Sequence, residues 1–409
     1  MKILRAFKYR LYPTPKQEAN LRQQVGNTRF LWNKLLETNT KFYKLTGRFL
    51  WYPDLNDEIN KLKQQYHFLK LSGSQSLQQV AKHLDRALRE IKKTKGYPKF
   101  KKKVLGGSFA IPQTLKFREN EVFIPKVAYK RAERWVKMVK HRPLEGKPKH
   151  LTVSLDVDQW FVSILCEVEV DVKPKDGQTI GVDLGLESFA TTNDGTKIAN
   201  PRYLKKAQKR LKRYQRKLSK KKKGSNNRNK QRIKVAKTHR KVRRQRSDFL
   251  HKASSQLIAK ASVICAEDLN VHALQMSRLS KPVSDVGWGE FVRQLEYKCK
   301  WYGVEFRQAN RFYASSKVCS NCGNKKKDLQ LSDRTYICES CGLEIDRDVN
   351  AAINLSTVGA PGINACGDTS VGAVSNTARH VSRKQENFLK AKLLESDEFN
   401  HRESSHRYS

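Results

Sequence analysis

Four cysteines in the last third of the chain have the type and spacing of metal ligands. They form the pattern C-x2-C-x15-C-x2-C, which consists of Cys319, Cys322, Cys338 and Cys341. Four thiolates at this spacing can close tetrahedrally around one zinc ion and leave no position open for water. A redox pair would need only one C-x-x-C in a thioredoxin-like context. The spacing therefore predicts one structural zinc in a small module, and the lysines at 325–327 beside it suit contact with phosphate.

A second group of candidate ligands is acidic and stands where strands end or a helix begins. Asp183 follows a β-branched run in GVDLG, and Glu267 ends the apolar run SVICA. Asp346 and Asp348 stand at the start of a predicted helix. Gly185 leaves room for a ligand to approach Asp183 closely.

Each of these acids has a structural explanation when it is taken singly. The D-x-G pattern occurs in turns, and an acid at a helix start interacts favourably with the helix dipole. Taken together, carboxylates at strand ends and at a helix start predict a joint site for magnesium, which prefers hard oxygen ligands. Three carboxylates that converge on two such ions are what phosphodiester hydrolysis needs.

The composition indicates a polyanionic partner. The chain has 409 residues, with 83 Lys and Arg against 39 Asp and Glu, a formal net charge of +44 and a pI of about 10.1. A charge this large opposes compaction by self-repulsion unless a partner neutralises it. No segment is apolar enough to span a bilayer, and the first residues lack the apolar core of a signal peptide. We therefore expect an intracellular protein with no membrane partner, and the scattered remaining cysteines suit a reducing compartment.

Much of the positive charge lies in one segment. Residues 202–246 contain 23 Lys and Arg and no acidic residue, and Leu204, Leu211 and Leu218 keep a helical apolar spacing. The sequence KKGSNN at 222–227 interrupts this pattern, which predicts a helical hairpin. A solvated charged face is the structural alternative, but a run of one sign over this length would repel itself in isolation. The segment therefore favours binding to a nucleic-acid backbone, with an affinity that falls steeply with salt.

The remaining patterns place these groups on elements. Residues 4–12 alternate as a strand does, and Thr14 to Gln17 form a capping box for a helix that runs to about Leu45. Further helices are predicted at 54–71 and 75–95, and antiparallel strands at 97–173. From 178 onward the sequence predicts strands around GVDLG and at 261–270, a helix containing Trp288 and Tyr302 and capped by Ser284, and a helix at 348–355. The last 50 residues, rich in Gly, Ser and Asn, are expected to be mobile.

Five motifs in a fixed order resemble the TnpB family of bacterial insertion sequences. They are GVDLG, AEDLN, DVGWGEFVRQLEYK, the finger SSxxCSxCG…YxCxxCG and DRDVNAAINL. The opening segment FKYRLYPTPKQEANLRQQVGNTRFLWN also looks like the N-terminal region of that family. The resemblance covers residues 5–355, and its most specific part is the finger directly before DRDVNAA.

The resemblance implies a fold and an activity. The family is similar to compact type V CRISPR effectors: an α+β multidomain protein whose RNase H-like RuvC nuclease domain uses a guide RNA from the transposon end. That RNA pairs with double-stranded target DNA next to a short transposon-adjacent motif, and one RuvC site cuts both strands. The implied catalytic and magnesium-binding residues are Asp183, Glu267 and Asp348, with Asp346 as the less favoured alternative to the last. Such a protein would act in the bacterial cytoplasm, at the nucleoid.

The resemblance also implies a division into domains. Residues 1–176 would form a wedge β-barrel with a helical recognition insertion at about 15–95. A RuvC-like α/β domain would comprise 177–318 and 345–358, and its basic hairpin at 202–250 would touch guide RNA and heteroduplex. Residues 319–344 would be an inserted zinc ribbon, and 359–409 a mobile tail.

Two other functions stay open at this point. One is a transposase that joins DNA ends with its own carboxylate triad, as the historical name of the family suggests. The other is a non-catalytic, zinc-stabilised nucleic-acid-binding protein that regulates transposition. Substitution of Asp183, Glu267 or Asp348 separates a nuclease from a binding protein, because only the nuclease would lose its activity.

Overall fold

The first sheet is antiparallel and is built around the N-terminal strand. The computed structural model of the protein describes residues 1–91, 96–103, 105–113, 115–330 and 332–358. Its first seven strands are β1 (Lys2–Tyr12), β2 (Gly106–Ile111), β3 (Phe117–Arg118), β4 (Glu121–Phe123), β5 (Trp135–Val139), β6 (Lys147–Asp156) and β7 (Gln159–Glu169). They pair in the order β2-β6-β7-β1-β5-β4-β3. Within the described residues the two end strands do not pair with each other, so the hydrogen-bond ladder does not close into a ring.

A helical segment is inserted between the first two strands of this sheet. It consists of α1 (Pro15–Thr46), α2 (Tyr52–Gln65), a 3₁₀ turn (His67–Leu71) and α3 (Ser74–Arg89). Thr14 and Gln17 form the predicted capping box, because each side chain bonds the backbone N–H of the other residue. Leu21 of α1 packs into the core of the sheet, whereas Leu35 packs among the helices. Helix α1 therefore belongs to both cores and joins the helical insertion to the sheet.

The second sheet combines parallel and antiparallel pairs. Its strands are β8 (Gln178–Asp183), β9 (Ser188–Thr192), β10 (Lys197–Ala199), β11 (Ala261–Glu267) and β12 (Glu305–Ala309), paired in the order β10-β9-β8-β11-β12. Strand β11 runs parallel to both of its neighbours, and β8, β9 and β10 pair antiparallel. The parallel pairs bring the carboxyl ends of β8, β11 and β12 to one edge of the sheet.

Helices cover both faces of the second sheet. They are α4 (Tyr203–Ser219), α5 (Asn226–Lys260), α6 (Val271–Met276), α7 (Ser280–Val286), α8 (Trp288–Tyr302) and α9 (Arg347–Ser356). Ile180 and Val182 of β8 pack in one core with residues of α5 and α8. Since side chains alternate along a strand, Gly181 and Asp183 face the other side, where α9 lies. Both Gly181 and Asp183 are therefore on the same face as α9.

The basic segment is a helical hairpin, as predicted. Helices α4 and α5 pack against each other through Ala207, Leu211 and Val242. The middle of α5 also contacts the turn between β6 and β7, where Asp156 and Asp158 receive ion pairs. These pairs join the two aspartates to Lys237, Arg240, Arg243 and Arg244. The hairpin therefore connects the second sheet to the first.

Some local predictions were wrong. Ser284 does not cap α8, because it lies inside α7 and the N-cap position of α8 is Gly287, which has no side chain to accept a bond. The helix predicted at 54–71 is divided at Tyr66 into α2 and the 3₁₀ turn. The helix predicted to reach residue 95 ends at Arg89, and 92–95 lie outside the described residues.

The predicted mixed α and β architecture is present. An antiparallel sheet with a helical insertion precedes a mixed sheet flanked by helices, and a small hairpin of β13 (Thr335–Ile337) and β14 (Glu344–Asp346) holds Cys338 and Cys341 in its loop. All of these elements belong to one compact unit. The boundaries 1–176, 177–318 with 345–358, and 319–344, and the names wedge and RuvC, stay predictions. The predicted mobile tail at 359–409 lies outside the described residues. No helix in the described part is long and apolar enough to cross a membrane.

Candidate active site

Two of the predicted acids stand side by side at the carboxyl edge of the second sheet. Val182 of β8 pairs with Ala266 of β11 in parallel register, so Asp183 and Glu267 are the next residues on two adjacent strands. Because the strands run parallel and the side chains alternate, both carboxylates emerge at the same edge and on the same face. The register of the two strands therefore also determines where the acid at the end of each strand lies.

Helix α9 brings the third acid to the same place. Asp348 lies in its first turn, and the helix begins at a cap formed by Asp346, whose Oδ1 accepts from the backbone N–H groups of Asp348 at 3.1 Å and Val349 at 3.2 Å. The helix crosses β8 at Gly181. A Cβ atom on Gly181 would lie 2.6 Å from the backbone nitrogen of Ser356 and would also overlap the carbonyl oxygen of Ala352. Only glycine permits this approach of helix to strand.

The three acids line one pocket. Asp183, Glu267 and Asp348 contribute to the wall of a cavity of about 730 Å³ that also includes Gly185. A Cβ atom on Gly185 would lie 2.9 Å from the carbonyl oxygen of Ser188. Gly185 is therefore required by the connection between β8 and β9, in addition to the predicted space for a ligand.

The electrostatics of the pocket favour a bound cation. Burial raises the pKa of Asp183 well above its usual value, and the charges of Glu267 and Asp348 raise this pKa further, whereas Arg347 opposes the rise. Burial also raises the pKa of Glu267, and a hydrogen bond from Ser315 offsets part of that change. Like charges in a partly desolvated pocket repel one another, and a divalent cation would remove that repulsion. The donor set, three carboxylates, fits a hard cation such as magnesium.

Basic side chains surround the acids. Arg347 donates to Asp348 at 3.2 Å, and Arg334 pairs with Glu187 at 2.8 Å. Arg202, Lys317, Arg334 and Arg347 all line the pocket. A polyanion would therefore meet positive charge at the rim and negative charge at the centre, where cations could bind.

The neighbouring acids have other partners. Asp346 is not part of the pocket wall; it caps α9 and pairs with Lys197 at 2.6 Å. Asp268, which follows Glu267, pairs with Arg311 at 2.7 Å. The geometry thus gives Asp348, and not Asp346, the place beside Asp183 and Glu267. The assignment of catalytic roles stays a prediction.

The four predicted zinc ligands form one cluster. Their Sγ atoms all lie within 4.8 Å of one another, with Cys319 and Cys341 3.6 Å apart and Cys322 and Cys338 3.5 Å apart. Thiolates about 2.3 Å from a tetrahedral zinc are about 3.8 Å from each other, so the cluster has the dimensions of a zinc site. The residues present therefore fit a structural zinc.

The backbone around the cysteines prepares them for a metal. Gly323 and Gly342 both adopt positive φ, 75° and 72°, and their N–H groups bond back to the carbonyl oxygens of Cys319 and Cys338 at 3.0 Å. Each C-x-x-C-G is therefore a tight knuckle that requires glycine at its end. The backbone N–H groups of Cys341 and Ser340 lower the pKa of the Cys338 thiol to about 6, which favours the thiolate that zinc binds.

Three functional candidates were missed at the sequence level. Ser315, Asn350 and Asn354 are buried polar residues whose side chains connect the acids to the cysteine module. Their signal in the sequence was the serine pair that precedes Cys319 and the two asparagines in DVNAAIN. Without the contacts, the serines are typical of a loop and the asparagines are ordinary helix residues.

Family models match three parts of the chain. Residues 163–278 match a family described as "Probable transposase", residues 288–355 match "Cas12f1-like, TNB domain", and residues 1–48 match "Helix-turn-helix domain". In this chain, residues 1–48 contain β1 and α1, so that segment is a strand followed by one long helix.

Several relatives match much or part of the chain. A Streptomyces pristinaespiralis protein, provisionally named an RNA-guided DNA endonuclease, is 37% identical over 90% of this chain and 92% of its own length. InsQ of Escherichia coli K12, named in the same provisional way, is 33% identical over 90% of this chain and 95% of its own length. The TnpB-like protein L79 of Acanthamoeba polyphaga mimivirus is 36% identical over 31% of this chain and 25% of its own length. The chain belongs to the TnpB family.

The fold of this TnpB-family chain is also similar to a solved structure. A cryo-EM structure of a Cas12f1–sgRNA–target DNA complex contains a chain that matches with a TM-score of 0.50. The match covers 87% of this chain and 99% of that one at 16% sequence identity. The similarity therefore concerns the fold.

Proposed function

We propose that the protein is an RNA-guided DNA endonuclease of a bacterial transposon. It cleaves double-stranded DNA next to a short transposon-adjacent motif, by metal-dependent hydrolysis at a single RuvC-like site. The observation that carries this proposal is the meeting of Asp183, Glu267 and Asp348 in one pocket of a TnpB-family chain. The names of the relatives support the RNA guide and the DNA substrate.

In the proposed reaction, the three carboxylates would hold two magnesium ions. Ions bound there would activate the attacking water and stabilise the leaving oxygen of the scissile phosphate. Asp183 and Glu267 are fixed at strand ends, and Asp348 is fixed by the cap of α9. Arg347, beside Asp348, offsets part of the negative charge of the site. The chain itself would therefore supply carboxylate oxygens, placed by two strand ends and a helix start, in a partly desolvated pocket.

The basic surfaces would bind the nucleic acids. The hairpin of α4 and α5 carries most of the 23 Lys and Arg of residues 202–246, and the pocket rim adds Lys317 and Arg334. These cations would hold the guide RNA and the RNA–DNA duplex by their phosphates, while base pairing supplies sequence specificity. The four-cysteine module, with one zinc, would fold the segment between β12 and α9 and contribute to this surface.

The proposal is tested with isosteric substitutions of the acids. We expect Asp183→Asn, Glu267→Gln and Asp348→Asn each to reduce DNA cleavage by about 10³-fold or more, because each removes a metal-binding charge. The three variants should retain RNA that co-purifies when the protein is expressed with its native locus. The matched control is Glu305→Gln. Glu305 is exposed and is the first residue of β12, so it lies away from the carboxyl edge of the sheet where the acids are.

The same experiment discriminates the alternatives. DNA strand transfer without RNA would identify a transposase, and nucleic-acid binding without any cleavage would identify a regulator. Cleavage by Asp183→Asn at the wild-type rate would overturn the site assignment. A discrete co-purifying RNA that ends in variable sequence, together with cleavage that depends on it, is the result we expect.

A further inference from the structure

The segment from residue 310 to 320, here called the linker, leads from β12 to the first zinc knuckle and contacts the candidate site. Ser315 of the linker is buried, with 3% of its surface exposed, and its Oγ donates to Oε1 of Glu267 at 2.6 Å. In the described part of the chain, Ser315 is the one hydrogen-bond partner of the Glu267 side chain. The orientation of this carboxylate therefore depends on the linker.

A second contact fixes the linker to the same strand end. Arg311 donates to Oδ2 of Asp268 at 2.7 Å. Because Asp268 is adjacent to Glu267, the linker forms hydrogen bonds with two successive residues at the end of β11. This pair of contacts keeps Ser315 within reach of Glu267.

Helix α9 holds the other end of the linker through two buried asparagines. Nδ2 of Asn354 donates to the carbonyl oxygens of Ser315 at 2.8 Å and Val318 at 2.7 Å. Nδ2 of Asn350 donates to the same Val318 oxygen at 2.7 Å, and its Oδ1 accepts from the N–H of Ser320 at 2.9 Å. These side chains satisfy buried backbone groups on both sides of Cys319, so they fix the first knuckle to the helix that carries Asp348.

We propose that the linker is a positioning element that couples the zinc knuckle to the metal-binding acids. Ser315 orients Glu267, and Asn350 and Asn354 fix the linker to α9, so the folded knuckle sets the placement of Glu267 relative to Asp348. This inference rests on the proposed function of the acids. Ser315 and the two asparagines are positioning residues, because they act through the carboxylates and touch neither metal nor substrate.

The test measures divalent-metal binding directly. In the zinc-loaded protein–RNA complex, we expect Ser315→Ala to weaken Mn²⁺ binding, followed by electron paramagnetic resonance, by about 10-fold or more, as loss of a hydrogen bond to a metal-ligating group does. Zinc content, RNA content and melting temperature should stay close to wild type. Ser315→Thr, which keeps the hydroxyl, should recover part of the affinity.

A matched control lies on the same strand. Ser262 is near the start of β11, and its hydroxyl donates to the carbonyl oxygen of Gly177 at 2.9 Å, away from the pocket. Ser262→Ala should bind Mn²⁺ as wild type does. Wild-type Mn²⁺ affinity in Ser315→Ala, or an equal loss in Ser262→Ala, would overturn the inference.

The link to the knuckle has its own variant. We expect Asn354→Ala to retain zinc and yet to weaken Mn²⁺ binding, because the linker then loses two of its hydrogen bonds to α9. Unchanged Mn²⁺ affinity in this variant would break the proposed link between zinc module and site. Glu267→Gln separates the two proposals: if it cleaves DNA normally, the proposed function fails, whereas an inactive Glu267→Gln with a normal Ser315→Ala overturns only the positioning role.

Discussion

The protonation state of the Asp183 carboxyl group affects the electrostatic energy of the pocket. Its pKa is raised by burial and by the charges of Glu267 and Asp348, so the ionised form is disfavoured in the metal-free fold. A group whose pKa is higher in the folded state favours folding most at pH values below its unfolded pKa. That contribution is lost as the pH rises through the folded-state pKa.

This linkage gives a prediction for Asp183→Asn. At neutral pH, with zinc bound and no magnesium present, we expect the variant to have a higher free energy of unfolding than wild type, because it lacks the buried carboxyl group whose ionisation is disfavoured in the fold. This difference in the free energy of unfolding should shrink as the pH is lowered toward the unfolded-state pKa of an aspartate. Chemical denaturation at several pH values measures it.

The control for this measurement is Glu305→Gln, which removes an exposed charge from the same sheet. A variant Asp183→Asn that is less stable than wild type at neutral pH would show that the carboxylate is already compensated without a metal.

The residue types and spacing predicted the acids and the cysteines. They could not predict Ser315 or Asn354, because a hydrogen bond between residues far apart in sequence leaves no local periodic signal.

The contact between α9 and β8 determines whether the third acid reaches the pocket. The sequence drew attention to Gly185, but the close approach of helix to strand occurs at Gly181. Both glycines belong to GVDLG, and a one-dimensional pattern does not distinguish a glycine required by a loop from one required by a packed helix. The distinction becomes visible only once α9 is placed on the sheet.

We therefore predict a specific effect of Gly181→Ala. The added methyl group would meet the backbone of α9, so the variant should lose about 1–3 kcal/mol of stability. DNA cleavage should fall more than RNA binding, because the helix carries Asp348 away from the other two acids. Thermal unfolding and cleavage rates check both effects.

Gly289 of α8 provides the comparison, since no atom of the described residues, apart from its chain neighbours and the backbone of its own helix, lies within 4 Å of the Cβ position there. Gly289→Ala should keep its activity and gain as much as about 1 kcal/mol, because alanine is the better helix former. Normal cleavage by Gly181→Ala would contradict the proposed role of this contact.

Helix starts were predicted well where a capping box was present, as at Thr14, and poorly at α8, where Gly287 supplies no side chain.

At the scale of the whole molecule, the net charge of +44 favours binding to a polyanion. Four basic residues of α5 are paired with Asp156 and Asp158 of the first sheet, which ties the hairpin to that sheet. Composition alone predicted the polyanionic partner. It could not predict this internal use of positive charge, because the pairing joins residues that are distant in the chain.

The charge predicts a strong salt dependence of RNA binding. If six to ten phosphates are contacted, the affinity should fall by about 10³-fold or more between 50 and 200 mM salt. Substitution of the exposed Lys209, Lys212 and Lys217 of α4 by glutamine should make the log–log slope less steep. Filter binding or fluorescence anisotropy over a salt series measures the slope.

Replacement of the same three lysines by arginine keeps the charge and is the matched control. An affinity that is independent of salt, or an equal change of slope in the arginine variant, would contradict backbone recognition by this helix.

The position of α9 along the chain has a consequence for synthesis. During translation, β8 and β11 leave the ribosome first, and the helix that bears Asp348 follows only after the cysteine module. A nascent or prematurely terminated polypeptide therefore lacks one of the three acids. On the proposed function, a polypeptide that ends before α9 would lack a complete site and would not cut DNA.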